Sequence, residues 1–337
     1  MLGDMSSAAF DLLSYKQKII QFKELVLFTI KKNYKIKVKN IKFIHYGENA
    51  TFKVTDQSNK SYLVRVCRED YHSPAALNEE LSWLNRLGSS TNLQVPVPIR
   101  NKSKKLFSQV VYKPYFNPTH IVVFKWVEGR FIDKKFTIGT ARKLGELLAQ
   151  LHLSTKKYTV KHRRYWDAEG LLSKKAKLGD LSSLKLTPLQ RKKIFSLRRN
   201  IFSRLKKYQK NFPDKMGLIH ADMHTGNFFF NQNGIVAIDF DDCGFGFYAY
   251  DLAIPVMVIG RMKSLSNLQK ENIKQSILSE YRQHCEFNLE DEKMIDVCIY
   301  ARMLTLLTWL NNRSSIPRLK KYYKTHLAKV LRLKPLR

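Results

Sequence analysis

The stretch Leu218-Ile219-His220-Ala221-Asp222-Met223-His224-Thr225-Gly226-Asn227-Phe228-Phe229-Phe230 sets an Asp and an Asn five residues apart between two apolar runs. Twelve residues beyond Asn227 comes Asp239, at the end of the strand-like Ile235-Val236-Ala237-Ile238. A loop carrying Asp222 and Asn227, then a hairpin returning Asp239 to the same place, gathers three oxygen-bearing side chains around one point. Phosphoryl transfer to an alcohol needs such a set: a carboxylate that orients or deprotonates the hydroxyl, and hard oxygen ligands that hold magnesium against nucleotide phosphates. Taken singly, either residue reads as well as a turn cap, because Asp and Asn bond their own backbone in turns. The string and its flanks together point to the chemistry.

Working outward toward the N-terminus, Phe10, Leu13, Ile19, Ile20, Phe22, Leu25 and Phe28 recur at helical spacing over residues 10–32. From Ile41 to Cys67 the pattern shortens to alternating runs separated by Gly47-Glu48-Asn49 and by Asp56 to Lys60, which predicts antiparallel strands joined by turns. Ser73-Pro74 opens a helix that stops near Gly88 and the polar segment Ser89 to Asn92, and Val95-Pro96-Val97-Pro98 cannot extend it. Extended chain follows at Phe107 to Tyr112 and at Ile121-Val122-Val123-Phe124, with a lobe boundary placed after it.

Toward the C-terminus the chain reads as mainly helical, beginning with an apolar face over Thr137 to Leu153. Residues 156–215 form a basic, helical region with Lys156-Lys157, Arg163-Arg164, Lys174-Lys175, Arg191-Lys192-Lys193, Arg198-Arg199 and Lys206-Lys207 against Asp167, Glu169, Asp180 and Asp214. Arg313 to Arg337 repeats the theme with no acid. The chain of 337 residues carries 60 Lys and Arg against 28 Asp and Glu, a formal charge of +32 that attracts phosphates or acidic surfaces and says nothing of fold. With 44% hydrophobic residues it can bury a core, so disorder is not the expectation. Cys67, Cys243, Cys285 and Cys298 lack the short paired spacing of zinc or dithiol sites. Asp4 and Asp11 interrupt any signal peptide, and the most apolar window, Tyr248 to Gly260, is too short to span a bilayer; a cytoplasmic protein with no membrane span is expected.

The catalytic string and its continuation, Asp239-Phe240-Asp241-Asp242-Cys243-Gly244-Phe245-Gly246 to Tyr250-Asp251-Leu252-Ala253, resemble the aminoglycoside phosphotransferase and choline kinase superfamily. The loop of that superfamily has the form His-Gly-Asp-x-His-x-Gly-Asn followed by Ile-Asp-Phe. The continuation is most similar to bacterial homoserine-kinase-like and stress-response-kinase-like members. The resemblance implies an α+β, bilobal protein-kinase-like fold: a small antiparallel β lobe over residues 1–125 that covers the nucleotide, and a larger helical lobe over 126–337. The helical lobe then holds the catalytic loop at 218–230 and the metal-binding segment at 235–253. The resemblance also implies ATP and Mg2+ as cofactors, Asp222 as the catalytic residue, Asn227 and Asp239 as metal ligands, and Asp251 as a structural partner of the loop. Gly47 and Asn49 fall in the nucleotide-covering turn. Arg65 falls where a phosphate-contacting Lys or Arg belongs, with Glu80, or its competitor Glu79, as ion-pair partner. Backbone groups of the hinge, Phe124 to Gly129, would bond the adenine.

Two departures stand out. Arg65 replaces the commoner Lys with a planar fork that can grip phosphate bidentately. Ala221 replaces Gly, which is tolerated if the backbone there has negative φ. His220 is expected to pack and orient the loop, the role of His224 is left open, and Asp241 and Asp242 could extend the site or belong to a turn. The leading reading is transfer of the γ-phosphate of ATP to a hydroxyl of a small-molecule acceptor. The alternatives are a Ser/Thr protein kinase and a basic pseudokinase-like scaffold that uses its lysines on nucleic acid or an anionic surface; retention of Asp222, Asn227 and Asp239 speaks against the scaffold.

Overall fold

The computed structural model describes residue 10 and residues 12–112, 115–131, 136–155, 158, 160–176, 178–314, 316–334 and 336. Asp4, Asp11, Lys156 and Lys157, used in the sequence reading, lie outside the described residues. The chain divides into two compact units, Met1–Gly129 and Arg130–Arg337.

In the first unit, helix α1 (Tyr15–Asn33) starts at Ser14, whose hydroxyl accepts from the Gln17 N–H while the Gln17 side chain returns the bond. This capping box satisfies two otherwise orphaned donors. Strands β1 (Val38–Tyr46), β2 (Ala50–Asp56), β3 (Ser61–Val66), β4 (Ser108–Tyr112) and β5 (Tyr115–Lys125) form one antiparallel sheet in the order β1-β2-β3-β5-β4. Phe22, Leu25, Val26 and Ile30 of α1 pack on Phe52, Val54, Val64, Ile121 and Val123 of the sheet. Helix α2 (Pro74–Ser90) begins as expected, with Ser73 as cap and proline in the first turn. It ends where the sequence indicated, at Ser90 in the polar segment that follows Gly88. Gly88 itself packs closely: a Cβ at that position would meet Val97 Cγ2 at 2.2 Å.

The second unit is mainly helical. Helix α3 (Ile138–Leu153) is followed by β7 (Arg164–Trp166), after the two-residue β6 (Arg130–Phe131) that precedes α3. Of the region 156–215, expected to be helical, the short α4 (Ala168–Leu172) and the long α5 (Pro188–Asn211) are helices. The other described residues of the region form β7, turns and a single 3-10 turn at Pro213–Lys215, because polar and basic clusters without apolar periodicity have no face to bury. Strands β8 (Met216–Ile219), β9 (Phe228–Asn231), β10 (Gly234–Ala237) and β11 (Gly244–Phe247) then make two small sheets, β10-β9-β6 and β7-β11-β8. Helices α6 (Tyr248–Gly260), α7 (Asn267–His284), α8 (Leu289–Asn311) and α9 (Pro317–Leu331) complete the unit. Among the described residues no helix is long and apolar enough to cross a membrane.

The three-stranded sheet β7-β11-β8 matters most for the site. Strand β11 pairs antiparallel with β8, which feeds the segment at His220, and parallel with β7. That approach is close: a Cβ on Gly244 would sit 2.2 Å from the Arg164 carbonyl oxygen. Glycine is therefore required where β7 and β11 meet.

Candidate active site

All four residues of β8 are buried, and the chain leaves it directly into the loop that begins at His220. Asp251, in the first turn of α6, fixes that loop. Its carboxylate accepts from the backbone N–H groups of His220 at 2.8 Å and Ala221 at 2.7 Å, and from His152 Nε2 at 3.1 Å. His152 lies at the end of α3, and its Nδ1 is 2.8 Å from the Tyr281 hydroxyl of α7. With Nε2–H donating to Asp251, Nδ1 accepts from Tyr281 and the tautomer is set. Burial pushes the Asp251 carboxyl up, but the bond from His152 and the ring and N–H of His220 outweigh it and hold the group below the ordinary carboxylate value.

The His220 ring bridges two parts of the site: Nε2 donates to the Ile238 carbonyl at 2.9 Å and Nδ1 accepts from the Asp222 N–H at 3.3 Å. A ring so engaged orients backbone, as the sequence suggested. The expectation of negative φ at Ala221 fails, because its φ is 66° and its side chain is fully buried. Two successive N–H groups must aim at one carboxylate, and the chain accomplishes this by entering the left-handed region, at a cost of roughly 1–2 kcal/mol for a residue with a Cβ.

Asp222 follows. Asn227 Nδ2 donates to its carbonyl at 2.9 Å and to its Oδ2 at 3.2 Å, and His224 Nε2 lies 3.5 Å from Oδ2. On the other side Arg302 of α8 donates from Nη2 to Oδ1. Burial pushes the Asp222 carboxyl up to about 6, with Arg302 opposing the rise and Asp242 adding to it. Burial and the charge of Arg302 push His224 down to about 4, so it is neutral near pH 7. Its Nδ1 accepts from the Gly226 N–H at 2.9 Å, which leaves Nε2 protonated on the Asp222 side.

The hairpin behaves as its spacing predicted. Ala237 of β10 pairs with Phe228 of β9, and the Ile238 N–H donates to the Asn227 carbonyl at 2.9 Å. Asp239, the next residue, is thereby brought to the Asn227 end of the ladder, with φ 62° and ψ 65°. Asn227 and Asp239 are hard oxygen donors of the kind magnesium takes together with nucleotide phosphates. Because Asn227 Nδ2 is spent on Asp222, its Oδ1 is the atom left for a metal, so the donor set fits the ion. Among the described residues no group of three or more His, Cys, Asp or Glu is placed to cage an ion. Asp241 and Asp242 lie in a tight turn, Phe240–Asp242, in which Asp242 pairs with Arg164 at 3.4 Å.

In the first unit Arg65 Nη1 meets Glu80 Oε1 at 2.8 Å, with both side chains buried and the guanidinium over the Phe124 ring at 5.4 Å. The geometry thus pairs Arg65 with Glu80. The turn between β1 and β2 is closed by the Gly47 N–H on the Asn49 carbonyl at 3.2 Å, and the Asn49 side chain accepts from the Arg68 N–H at 2.9 Å. Arg68 also pairs with Glu48.

Two residues of the site went unnoticed in the sequence: Arg302 and His152. Each is one basic or imidazole side chain remote in sequence from what it touches, and the spacing gives no signal for either.

These features define a protein-kinase-like phosphotransferase fold, α+β, with an antiparallel sheet unit and a helical unit. The phosphotransferase enzyme family matches residues 41–287, and the chain belongs to it. It is a kinase-type phosphotransferase. Amicoumacin kinase of Bacillus subtilis (strain 168) is 25% identical over 244 residues, 70% of this chain and 68% of that protein. The solved structure of a microcompartment-associated aminopropanol kinase is 25% identical with a TM-score of 0.78, covering 91% of this chain and 95% of that one. An amicoumacin kinase solved in complex with AMP-PNP, Ca2+ and Ami has a TM-score of 0.79 at 19% identity, covering 96% and 97%.

Proposed function

We propose that the protein transfers the γ-phosphoryl group of ATP to a hydroxyl of a small-molecule acceptor, with Mg2+ as the metal. The observation that carries this reading is the gripped carboxylate of Asp222, held by Asn227 on one oxygen and Arg302 on the other, at the end of the hairpin that delivers Asp239. Two relatives, a kinase of amicoumacin and a kinase of aminopropanol, support a small-molecule acceptor, and the nucleotide and Ca2+ in the amicoumacin kinase complex support a nucleotide with a divalent metal.

Asp222 receives the acceptor hydroxyl. With its carboxyl at about 6 it is ionised at neutral pH and poised to take a proton as the oxygen attacks. The bond from the γ-phosphorus to the ADP oxygen breaks as the bond to the acceptor oxygen forms, and the hydroxyl proton passes to Asp222. Asn227 Oδ1 and the Asp239 carboxylate would hold the magnesium, which when bound neutralises charge on the nucleotide phosphates. Arg65, braced by Glu80, is the phosphate-facing cation of the first unit, and the Gly47–Asn49 turn covers the nucleotide with backbone groups. Arg302 keeps Asp222 ionised in spite of burial and fixes its direction.

The test is magnesium-dependent ATP turnover by the purified protein against amino alcohols, aminoglycosides and related hydroxylated small molecules. Turnover dependent on one acceptor class and reduced roughly 10²–10⁴-fold by Asp222→Asn is the expected result. Turnover untouched by that substitution would remove Asp222 from the role.

A further inference from the structure

The segment that follows Asp239 is held by its neighbours in an unusual way. Four successive carbonyl oxygens, those of Phe240, Asp241, Asp242 and Cys243, each accept a hydrogen bond from a side chain of one short stretch of chain. Arg163 Nε donates to Cys243 at 2.7 Å, and Arg163 Nη2 donates to Phe240 at 3.4 Å and to Asp241. Trp166 Nε1 donates to Asp242 at 2.8 Å. Arg163 is 3% and Trp166 2% exposed. A charged side chain buried to that degree against carbonyl oxygens is held by many bonds at once and is not a solvated surface arginine.

The clamp is aimed at a strained place. Asp239, one residue before the first clamped carbonyl, is left-handed at φ 62°, a conformation that costs a residue with a Cβ free energy and persists only where the surroundings over-determine it. The clamp is also built into the sheet that carries the catalytic loop. Strand β7, which contains Trp166, runs parallel to β11 directly after the clamped turn, and β11 pairs with β8, the strand that ends at His220. Nothing in the chemistry of phosphoryl transfer calls on Arg163 or Trp166 directly.

We propose that Arg163 and Trp166 are positioning residues that hold Asp239 in its left-handed conformation, and so fix the metal carboxylate beside Asn227. The proposal rests on the reading of Asp239 as a metal ligand. It makes the Asp239 segment a rigid part of the β7-β11-β8 sheet, so that its readout is metal-dependent nucleotide affinity and not acceptor binding. Partners that orient a metal ligand typically contribute roughly 10–100-fold to metal affinity.

The experiment titrates AMP-PNP calorimetrically into the full-length protein, once with Mg2+ and once with EDTA, for the parent, Trp166→Phe, Arg163→Lys and Asp239→Asn. Trp166→Phe removes the N–H together with the five-membered ring but keeps an aromatic ring in place, so it tests the clamp even if the arginine variant fails to fold, and the EDTA titration registers any effect of the lost volume alone. Trp166→Phe is expected to weaken binding in Mg2+ roughly 10-fold and to leave binding in EDTA at the parent's value. Trp166→Phe combined with Asp239→Asn is expected to bind no more weakly in Mg2+ than Asp239→Asn alone. The proposal is overturned if Trp166→Phe matches the parent in Mg2+ while Asp239→Asn does not, or if Trp166→Phe weakens both titrations equally. Should Asp239→Asn itself match the parent in Mg2+, the metal role of Asp239 fails, and the clamp loses its object.

Discussion

Arg302, in the middle of α8, donates a hydrogen bond to the Asp222 carboxylate from 80 residues further along the chain. The ion pair offsets the burial that pushes Asp222 up to about 6. Replacing Arg302 by Met removes the cation and keeps much of the volume. The Asp222 carboxyl then rises further, and because the reaction needs it ionised, the acid limb of the kcat profile moves to higher pH. A pH–rate series should show activity roughly 10-fold down at pH 7 and recovering in alkaline buffer. An unmoved profile would detach Arg302 from Asp222.

Asp251→Asn places an amide donor where three donors already converge, from His220, Ala221 and His152. A buried donor left unpaired costs about 1–3 kcal/mol, and more than one is affected here, so a loss near 3 kcal/mol is expected in urea denaturation. Turnover should fall with it.

The pH dependence of stability follows from the same group. Asp251 is held below its ordinary carboxyl value in the folded protein. A depressed folded value means the stabilisation is complete above the unfolded value, about 3.9, and is lost as pH falls through the folded one. Acid unfolding curves of parent and Asp251→Asn should therefore converge below pH 4. Parallel curves throughout would contradict the assignment.

Ala221→Gly offers a test in the stabilising direction. Relief of left-handed strain contributes about 1–2 kcal/mol, and the added freedom of glycine in the unfolded chain costs about 0.4–1 kcal/mol. A net gain of roughly 0.5 kcal/mol is expected, read as a raised denaturation midpoint with an unchanged slope. Ala221→Val should lower it instead, since a β-branched side chain tolerates positive φ poorly.

Glu80→Ala takes the Glu80 carboxylate away from the buried Arg65 guanidinium. Removal of one partner from a buried pair costs about 3–5 kcal/mol, so this variant should unfold at much lower denaturant than Glu79→Ala. Equal effects would reopen the choice between the two glutamates.

Much of this architecture was legible. The turns at Gly47-Glu48-Asn49 and Asp56 to Lys60 marked the strands of the first sheet, and the spacing of Asp222, Asn227 and Asp239 anticipated the hairpin that brings the last two together. What escaped was whatever depends on a contact remote in sequence. Arg302 and Arg163 are two among 60 Lys and Arg, and their burial is set by packing that periodicity does not report. The close packing of Gly88 on Val97 escaped too, because a glycine near a helix end reads as a terminator whether or not it is also a contact. Ala221 gave no sign of positive φ, since alanine is ordinarily a helix former and only the convergence of two N–H groups on Asp251 requires the turn.

The relay from Tyr281 through His152 and Asp251 to the loop also bears on how the protein is made. Asp222 leaves the ribosome well before Tyr281 does, and until Tyr281 emerges the His152 ring lacks the hydroxyl that fixes its tautomer. A nascent chain arrested before residue 281 therefore carries every residue of the catalytic string without the full bonding that holds it. The bonding of the loop is thus completed late in synthesis, when α7 docks on α3 and, later still, α8 brings Arg302 to Asp222.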